Sequence, residues 1–287
     1  MKKVVLVRRN TIFAISIAAV LTTAMWLFGS GTAGTLIKKV WPTDSLVEIE
    51  VYTPDYPYFI FAAEEQKLDE VRRERFTYNE ISPVLEVPPL KYYSFTFCYE
   101  DGKQRAVCYS KTAGIFYEPE TMRKIKPSQG FLAVLSDLTT QYENKAYLTY
   151  GALIPWEETD EIFELFSEAR VTDLRTGKSF NVQRRAGSSH ADVQPLTAED
   201  TAVMKKIYNG RWSWNRRAVI VEVGGYRIAA SMNGMPHGAG KIPDNNFPGH
   251  FCIHFLASTT HSGNMDILHQ KETLRAAGKL PCIKESE

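Results

Sequence analysis

Hydrophobic positions form one long uninterrupted run near the start of the chain. Residues 12–28 contain no ionisable side chain, and four lysines and arginines lie within residues 1–9. A helix of this run would extend about 26 Å at ~1.5 Å per residue, close to the ~30 Å hydrocarbon core of a bilayer. A positively charged flank predicts that the N-terminal end stays in the cytoplasm. The pattern therefore predicts a basic cytoplasmic tail at residues 1–10 and a transmembrane anchor at residues 11–29.

A cleaved signal peptide is the alternative interpretation of the same run. Gly31, Thr32 and Ala33 are small residues at a plausible cleavage spacing. Either interpretation exports the remainder of the chain. We therefore expect a protein of the cell membrane with a single span, whose bulk is extracytoplasmic and begins with a linker at residues 30–45.

Short runs of aromatic and β-branched residues, separated by turn residues, fill residues 46–150. Such runs are typical of strands. They are LVEIEVY (46–52), KYYSFTFCYE (91–100), RAVCYSK (105–111), FLAVLSDL (131–138) and KAYLTYGAL (145–153). The charged residues 64–76 predict a surface helix instead. We interpret residues 46–150 as a β-rich accessory domain.

The pattern of residues 151–287 alternates between helical and strand periods. Helices are predicted at 157–169, 196–210 and 265–277, and the second has a capping box at Thr197 and Asp200. Strands are predicted at 169–175 and 178–185, and a hairpin at 216–234 turns at Gly224 and Gly225. The predicted fold class is α+β, mainly β: one N-terminal transmembrane helix, a β-rich middle domain, and a C-terminal mainly-β domain with two or three helices.

Composition and cysteine content narrow the possible partners and the compartment. With 44% hydrophobic residues and a formal net charge of +1, the chain has ample apolar residues for a core and no basic excess for nucleic acid. Export permits disulfides. Cys98 and Cys108 flank an Asp101-Gly102 turn and predict a bridge across a hairpin, with two separately buried thiols as the alternative. Cys252 and Cys282 form a second possible pair.

All six histidines lie in the last 98 residues, and three of them fall within HGAGKIPDNNFPGHFCIHF (237–255). The HFCIHF segment alternates at the period of a strand. His250, Cys252 and His254 would then share one face at ~6.7 Å per two residues, with aromatic and aliphatic side chains opposite. The turn-rich loop before this segment could return His237 to Cys252. A cysteine beside a histidine that accepts its proton is an activated nucleophile.

These residues resemble the catalytic motif of the bacterial L,D-transpeptidases, which is His-Gly, a variable loop, and then Ser-His-Gly-Cys. The matching positions here are His237-Gly238 and Gly249-His250-Phe251-Cys252-Ile253-His254. The resemblance implies Cys252 as nucleophile, His237 as base and His250 near the oxyanion site. It also implies acyl transfer on peptidoglycan stem peptides through a thioester, as a transpeptidase or carboxypeptidase without a cofactor. The chain departs from the motif at Gly249 (Ser in the family), Phe251 (Gly) and His254 (Arg).

Two other functions remain open from the sequence. A zinc-dependent cell-wall hydrolase would use His190 and Asp192 with histidines of residues 250–261, chiefly His250 and His254. A non-catalytic wall-binding or structural module would use aromatic and basic side chains to contact peptidoglycan or another wall polymer. The residues expected to contact such a substrate are His254, Trp212, Trp214 and Arg216.

Overall fold

A computed structural model of the chain describes residues 38–81, 83–240 and 242–281. The predicted tail, the transmembrane anchor and Cys282 lie outside these ranges. No helix within them is long and apolar enough to cross a membrane. The described residues all belong to one compact unit, which contains an eight-stranded sheet followed by a closed six-stranded barrel.

The sheet is formed by the first half of the described chain. Its strands are β1 (Lys38–Val40), β2 (Leu46–Tyr52), β3 (Phe61–Ala62), β4 (Thr77–Ile81), β5 (Tyr93–Tyr99), β6 (Gln104–Ser110), β7 (Ile115–Glu118) and β8 (Arg123–Pro127), and its helices are α1 (Glu65–Arg73) and α2 (Gln129–Thr149). The strand order is β1-β4-β8-β7-β6-β5-β2-β3. Helix α2 contributes Phe131, Leu135 and Leu138 to the core that the sheet buries. The predicted surface helix within 64–76 is confirmed as α1.

The barrel is formed by the second half. Its strands are β9 (Glu168–Asp173), β10 (Ser179–Ala186), β11 (Ala191–Pro195), β12 (Arg217–Val223), β13 (Tyr226–Met232) and β14 (Phe251–His254), with helices α3 (Trp156–Ile162), α4 (Ala198–Ile207) and α5 (Ile267–Ala276). The strands close in the order β10-β11-β14-β13-β12-β9, and every pair is antiparallel. The predicted capping box of Thr197 and Asp200 begins α4.

Backbone contact joins the sheet to the barrel at the end of α2. Ala152 N–H donates to Arg227 O, and Ala229 N–H donates to Ala152 O, at 2.7 and 2.8 Å. A Cβ on Gly151 would lie 2.4 Å from Ala229 N, so only glycine fits this approach. A cavity of about 420 Å³ opens at this junction and is lined largely by tyrosines, among them Tyr56, Tyr142, Tyr147, Tyr150 and Tyr226.

The predicted α+β class is wrong. The described chain is mostly β, with a six-stranded barrel and five helices. The largest local error is α2, which replaces the strands predicted at 131–138 and 145–153. Its buried positions, Phe131, Val134, Leu135, Leu138, Tyr142 and Ala146, follow helical spacing, and Ser128 caps its first turn. The aromatic and β-branched content pointed to strands, but the spacing of the buried side chains is that of a helix.

The predicted Cys98–Cys108 disulfide is also wrong. Both thiols are free, although the two cysteines do lie on the paired strands β5 and β6. The register places Cys98 opposite Gln104, and Cys108 opposite Ser94. Four residues of offset along a strand correspond to about 13 Å, well beyond the reach of a disulfide.

Phe251 gives a direct test of the barrel core. Its side chain is fully buried and packs against Phe180 and Phe247. We expect Phe251→Ala to lower the free energy of unfolding by about 3–5 kcal/mol, measured by urea denaturation. Phe166→Ala, at an exposed phenylalanine, is the control and should change it little. Equal effects of the two substitutions would contradict this placement of Phe251.

Candidate cysteine–histidine site

Strand β14 positions the thiol on the outer face of the barrel. Its neighbours β11 and β13 place Asp192 opposite Cys252, and Ser231 opposite His254. Phe251 and Ile253 alternate with these residues and belong to the interior core. The strand predicted for HFCIHF is therefore confirmed, with the aromatic and polar faces that the alternation indicated.

A backbone bridge returns His237 to this strand. His237 and His250 exchange two N–H to O bonds, at 2.9 and 2.8 Å. The two glycines beside them have left-handed backbones, and a Cβ on Gly249 would lie 2.4 Å from His237 O. At Gly238 the nearest atom, His250 Cε1, would be 2.3 Å away. The close approach that brings His237 beside Cys252 thus depends on glycine at both positions.

The His237 ring has the tautomer that a general base needs. Its Nδ1 lies 2.8 Å from Met235 O, and a carbonyl only accepts, so Nδ1 carries the proton. The lone pair of Nε2 then faces Cys252 Sγ at 3.2 Å. Burial lowers the pKa of His237 below its ordinary 6.5, which keeps the imidazole neutral at pH 7.

The Cys252 thiol is held in its neutral form. It is 6% exposed, and Asp192 Oδ1 lies 3.6 Å from Sγ. Burial, followed by the negative charge of Asp192, raises the pKa of Cys252 to about 12. A reaction at this sulfur near neutral pH would therefore need the proton to be removed by a neighbouring base during the attack.

Asp192 is surrounded by imidazoles. Its Oδ1 lies 3.2 Å from His190 Nε2 and 3.6 Å from His250 Nε2, and its Oδ2 lies 3.8 Å from His261 Nε2. Burial acts to raise the pKa of this carboxyl, but its contacts with His190 and the other two rings outweigh that effect. The pKa of Asp192 therefore lies below its ordinary value, and the carboxylate is the negative centre of the cluster.

His254 lies beneath the imidazoles that surround Asp192. Its ring stacks on His190 at 4.3 Å between centroids and on His269, from α5, at 3.9 Å. Burial lowers the pKa of His254 to about 2 and that of His269 to about 3, so both rings are neutral. At 3% exposure, His254 is placed as a packing residue under the site and does not face the solvent from which a substrate would approach.

The aromatic and basic residues predicted to bind substrate separate into different places. Trp214 is 48% exposed, and its ring centroid lies 5.0 Å from that of His237. Trp212 packs edge-on against Phe247 at the barrel core. Arg216 binds the Asp266 carboxylate, at the start of α5. Of the three, Trp214 has the position from which it could touch a substrate bound at Cys252.

Two residue sets in the described chain bring their potential metal-ligand atoms within 4.8 Å of one another. They are His190 with Cys252 and His254, and His190 with Asp192 and His261. The four residues predicted for zinc do not make up one such set. Sequence reasoning gave no role to His269 or Ser231, which hydrogen-bond at 2.8 Å behind His254. The clustering of all six histidines was the only signal for them.

Comparisons with known proteins found no relative of this chain. No protein-family model, no curated protein and no solved structure matches the chain. The fold and the site are therefore described by their own geometry: a six-stranded barrel that carries a cysteine–histidine pair on its outer face.

Asp192→Asn should make the Cys252 thiol more reactive. Loss of the carboxylate charge removes one of the two main causes that raise the pKa of Cys252, while burial remains. We expect alkylation by iodoacetamide at pH 8 to be severalfold faster, followed by mass spectrometry of the Cys252 peptide. Asp101→Asn, at an exposed turn of the sheet, should leave the rate unchanged. Slower labelling of the Asp192 variant would contradict the electrostatic account.

Gly249→Ser, which introduces the residue found in the L,D-transpeptidase motif, should displace His237. The added Cβ would collide with His237 O, in addition to the strain of a side chain at φ +107°. We expect a clear loss of unfolding free energy in urea and a changed NMR chemical shift of the His237 ring. Gly225→Ser is a matched control, since φ is +82° there and the space around it is open. The unfolding free energies of the two variants should differ by the cost of the collision at Gly249. Equal stability of the two variants, with an unchanged His237 signal, would contradict the predicted displacement of His237.

Proposed function

We propose that the protein is an extracytoplasmic cysteine acyltransferase that acts on peptidoglycan stem peptides, with Cys252 as nucleophile and His237 as general base. The observation that supports this most directly is the 3.2 Å contact between His237 Nε2 and Cys252 Sγ, with the other ring nitrogen fixed by Met235 O. Nucleophile, base and orienting group are then in the relation that thiol acyl transfer requires.

The chemistry at this pair proceeds in two balanced steps. Cys252 Sγ attacks the scissile carbonyl carbon while its proton passes to His237 Nε2. Collapse of the tetrahedral species breaks the C–N bond, and His237 returns the proton to the departing amine, which leaves a thioester. An acceptor amine or water then attacks the thioester carbonyl. His237 takes the proton of the acceptor and gives it to the sulfur as the thioester breaks.

The position of Phe251 is compatible with this proposal despite the departure from the family motif. The family motif has glycine there, and a bulky side chain facing the thiol would block the substrate. The Phe251 side chain instead points into the barrel, on the opposite side of β14 from Cys252. The departure therefore does not place the phenylalanine ring against the thiol.

The proposed substrate class rests on the predicted membrane anchor and on the exposed Trp214, and not on the catalytic pair. The predicted anchor would place the barrel outside the cytoplasm, where peptidoglycan is the abundant polymer with amide bonds between amino acids of both configurations. Trp214, exposed beside His237, supplies an aromatic surface against which a stem peptide or a sugar ring could pack. His250, edge-on to His237 at 4.6 Å and bonded through Nδ1 to Ala239 O, supports the base ring.

The test is turnover of purified muropeptides with tetrapeptide and pentapeptide stems by the full chain in detergent, followed by mass spectrometry. We expect Cys252→Ala to abolish turnover and its thioester intermediate, and His237→Ala to slow it by about 10²–10⁴-fold. Cys98→Ala, at a free cysteine of the sheet, should leave it intact. Turnover that survives in Cys252→Ala and is stopped by a chelator would indicate a zinc hydrolase. Binding of wall polymer without turnover would indicate a wall-binding module.

The same assay has a predicted pH profile. His237 acts as a base only when it is neutral, so kcat/KM should fall as the pH is lowered through the pKa of this ring. Burial places that pKa below 6.5. Because the pKa of the thiol is about 12, activity should not follow free thiolate formation across the neutral range. An acid limb centred above pH 7 would contradict the assignment of His237.

A further inference from the structure

We propose that His190, Asp192 and His261 bind a divalent cation of the zinc class on the outer face of the barrel, next to Cys252. This site goes beyond the proposed acyl transfer and does not require Cys252 to be a nucleophile. It uses a ligand set that the structure assembles from two separated parts of the chain, the start of β11 with the residue before it and the loop after β14.

His190 is oriented as a metal ligand. Its Nδ1 lies 2.7 Å from Thr259 O and must donate, because a carbonyl oxygen only accepts. Its Nε2 lies 3.2 Å from Asp192 Oδ1, and in the neutral ring this nitrogen presents its lone pair to the carboxylate. Within the described chain this nitrogen has no hydrogen bond of acceptable geometry, and the side chain is 2% exposed. A buried lone pair facing a carboxylate oxygen is stabilised by a cation between them, and a backbone carbonyl behind the ring is the usual support for a liganding histidine.

His261 completes the set from the solvent side. Its Nε2 lies 3.8 Å from Asp192 Oδ2, and its ring stands edge-on to His190 at 4.7 Å. A tight turn presents it, in which Thr260 N–H donates to Asn264 O and Gly263 N–H donates to Thr260 O. Because Thr259, which orients His190, is in the same loop, one segment sets the position of both imidazoles. The exposed His261 provides a route for the ion to enter.

The spacing of the ligand atoms is close to what zinc requires. Ligands at ~2.0–2.2 Å in a tetrahedron lie about 3.3–3.6 Å from one another. In the structure His190 Nε2 lies 3.2 Å from Asp192 Oδ1, and His261 Nε2 lies 3.8 Å from Asp192 Oδ2. One ligand atom from each of the three residues lies within 4.8 Å of the other two. The 3.8 Å separation exceeds the tetrahedral range, so the exposed His261 side chain would move toward the other two ligands when the ion binds.

The competing set shares His190 but lies deeper. It uses Cys252 and His254, and the His254 ring is sealed between the rings of His190 and His269. An ion there would have to enter through the aromatic stack, whereas the set with His261 opens directly to water. Access therefore favours Asp192 and His261 as the partners of His190.

The test is isothermal titration of ZnCl₂ into the metal-free full chain in detergent. We expect one site in the wild type and an affinity at least about tenfold lower in His261→Ala, since a ligand is lost. Met265→Ala, at an exposed side chain near the end of the same loop, is the matched control and should bind as the wild type does. Circular dichroism of each variant shows whether the fold is retained. Loss of binding in both loop variants, or no binding in the wild type, would overturn the site.

Cobalt distinguishes the two ligand sets. With Co²⁺ in place of zinc, the proposed set gives no thiolate-to-cobalt charge-transfer band, and Cys252→Ser should retain the affinity. A charge-transfer band that disappears in Cys252→Ser, together with unchanged binding in His261→Ala, would place the ion on the deeper set and overturn the proposal. Neither result depends on muropeptide turnover, so failure of the metal site and failure of the acyltransferase are distinguishable.

Discussion

The pairing of β14 between β11 and β13 is the constraint on which the site depends. Only four residues, Phe251–His254, form this strand, yet they close the barrel and set the register of Asp192 against Cys252. A slip of one residue would turn Phe251 to the outer face and Cys252 into the core. The burial of Phe251 and Ile253 opposes that slip, so the apolar side of the strand fixes the position of the reactive side.

Backbone carbonyls orient three rings of the histidine cluster. A buried imidazole N–H is tolerated when it is hydrogen-bonded. His190, His237 and His250 each have Nδ1 on a backbone carbonyl, from Thr259, Met235 and Ala239. This common arrangement directs three Nε2 atoms toward the region of Cys252 and Asp192. The loops around β14 thus determine the orientations as well as the positions of the rings.

The sequence predicted the contact of His237 with Cys252 better than the fold around it. The alternation of HFCIHF and the turn-rich loop after His237 are local signals, and local backbone preference was enough to bring His237 to Cys252. The disulfide prediction was wrong because register between β5 and β6 is fixed by the whole sheet and not by the turn. Likewise α2 was predicted as two strands, because its aromatic and β-branched content was given more weight than the helical spacing of its apolar residues. The position of His261 over Asp192 depends on a contact between two distant segments, which no local pattern contains.

Asp192 links the thiol to the proposed metal site, and the sign of that link follows from charge. The free carboxylate opposes ionisation of Cys252, since it lies 3.6 Å from the sulfur. A divalent cation bound to Asp192 would reverse the local charge and favour the thiolate. By linkage, ionisation of the thiol would then strengthen binding of the cation by the same factor. With the proposed ion bound, a single carboxylate shared by His190, His261 and Cys252 would make the reactivity of the sulfur depend on occupation of the adjacent site.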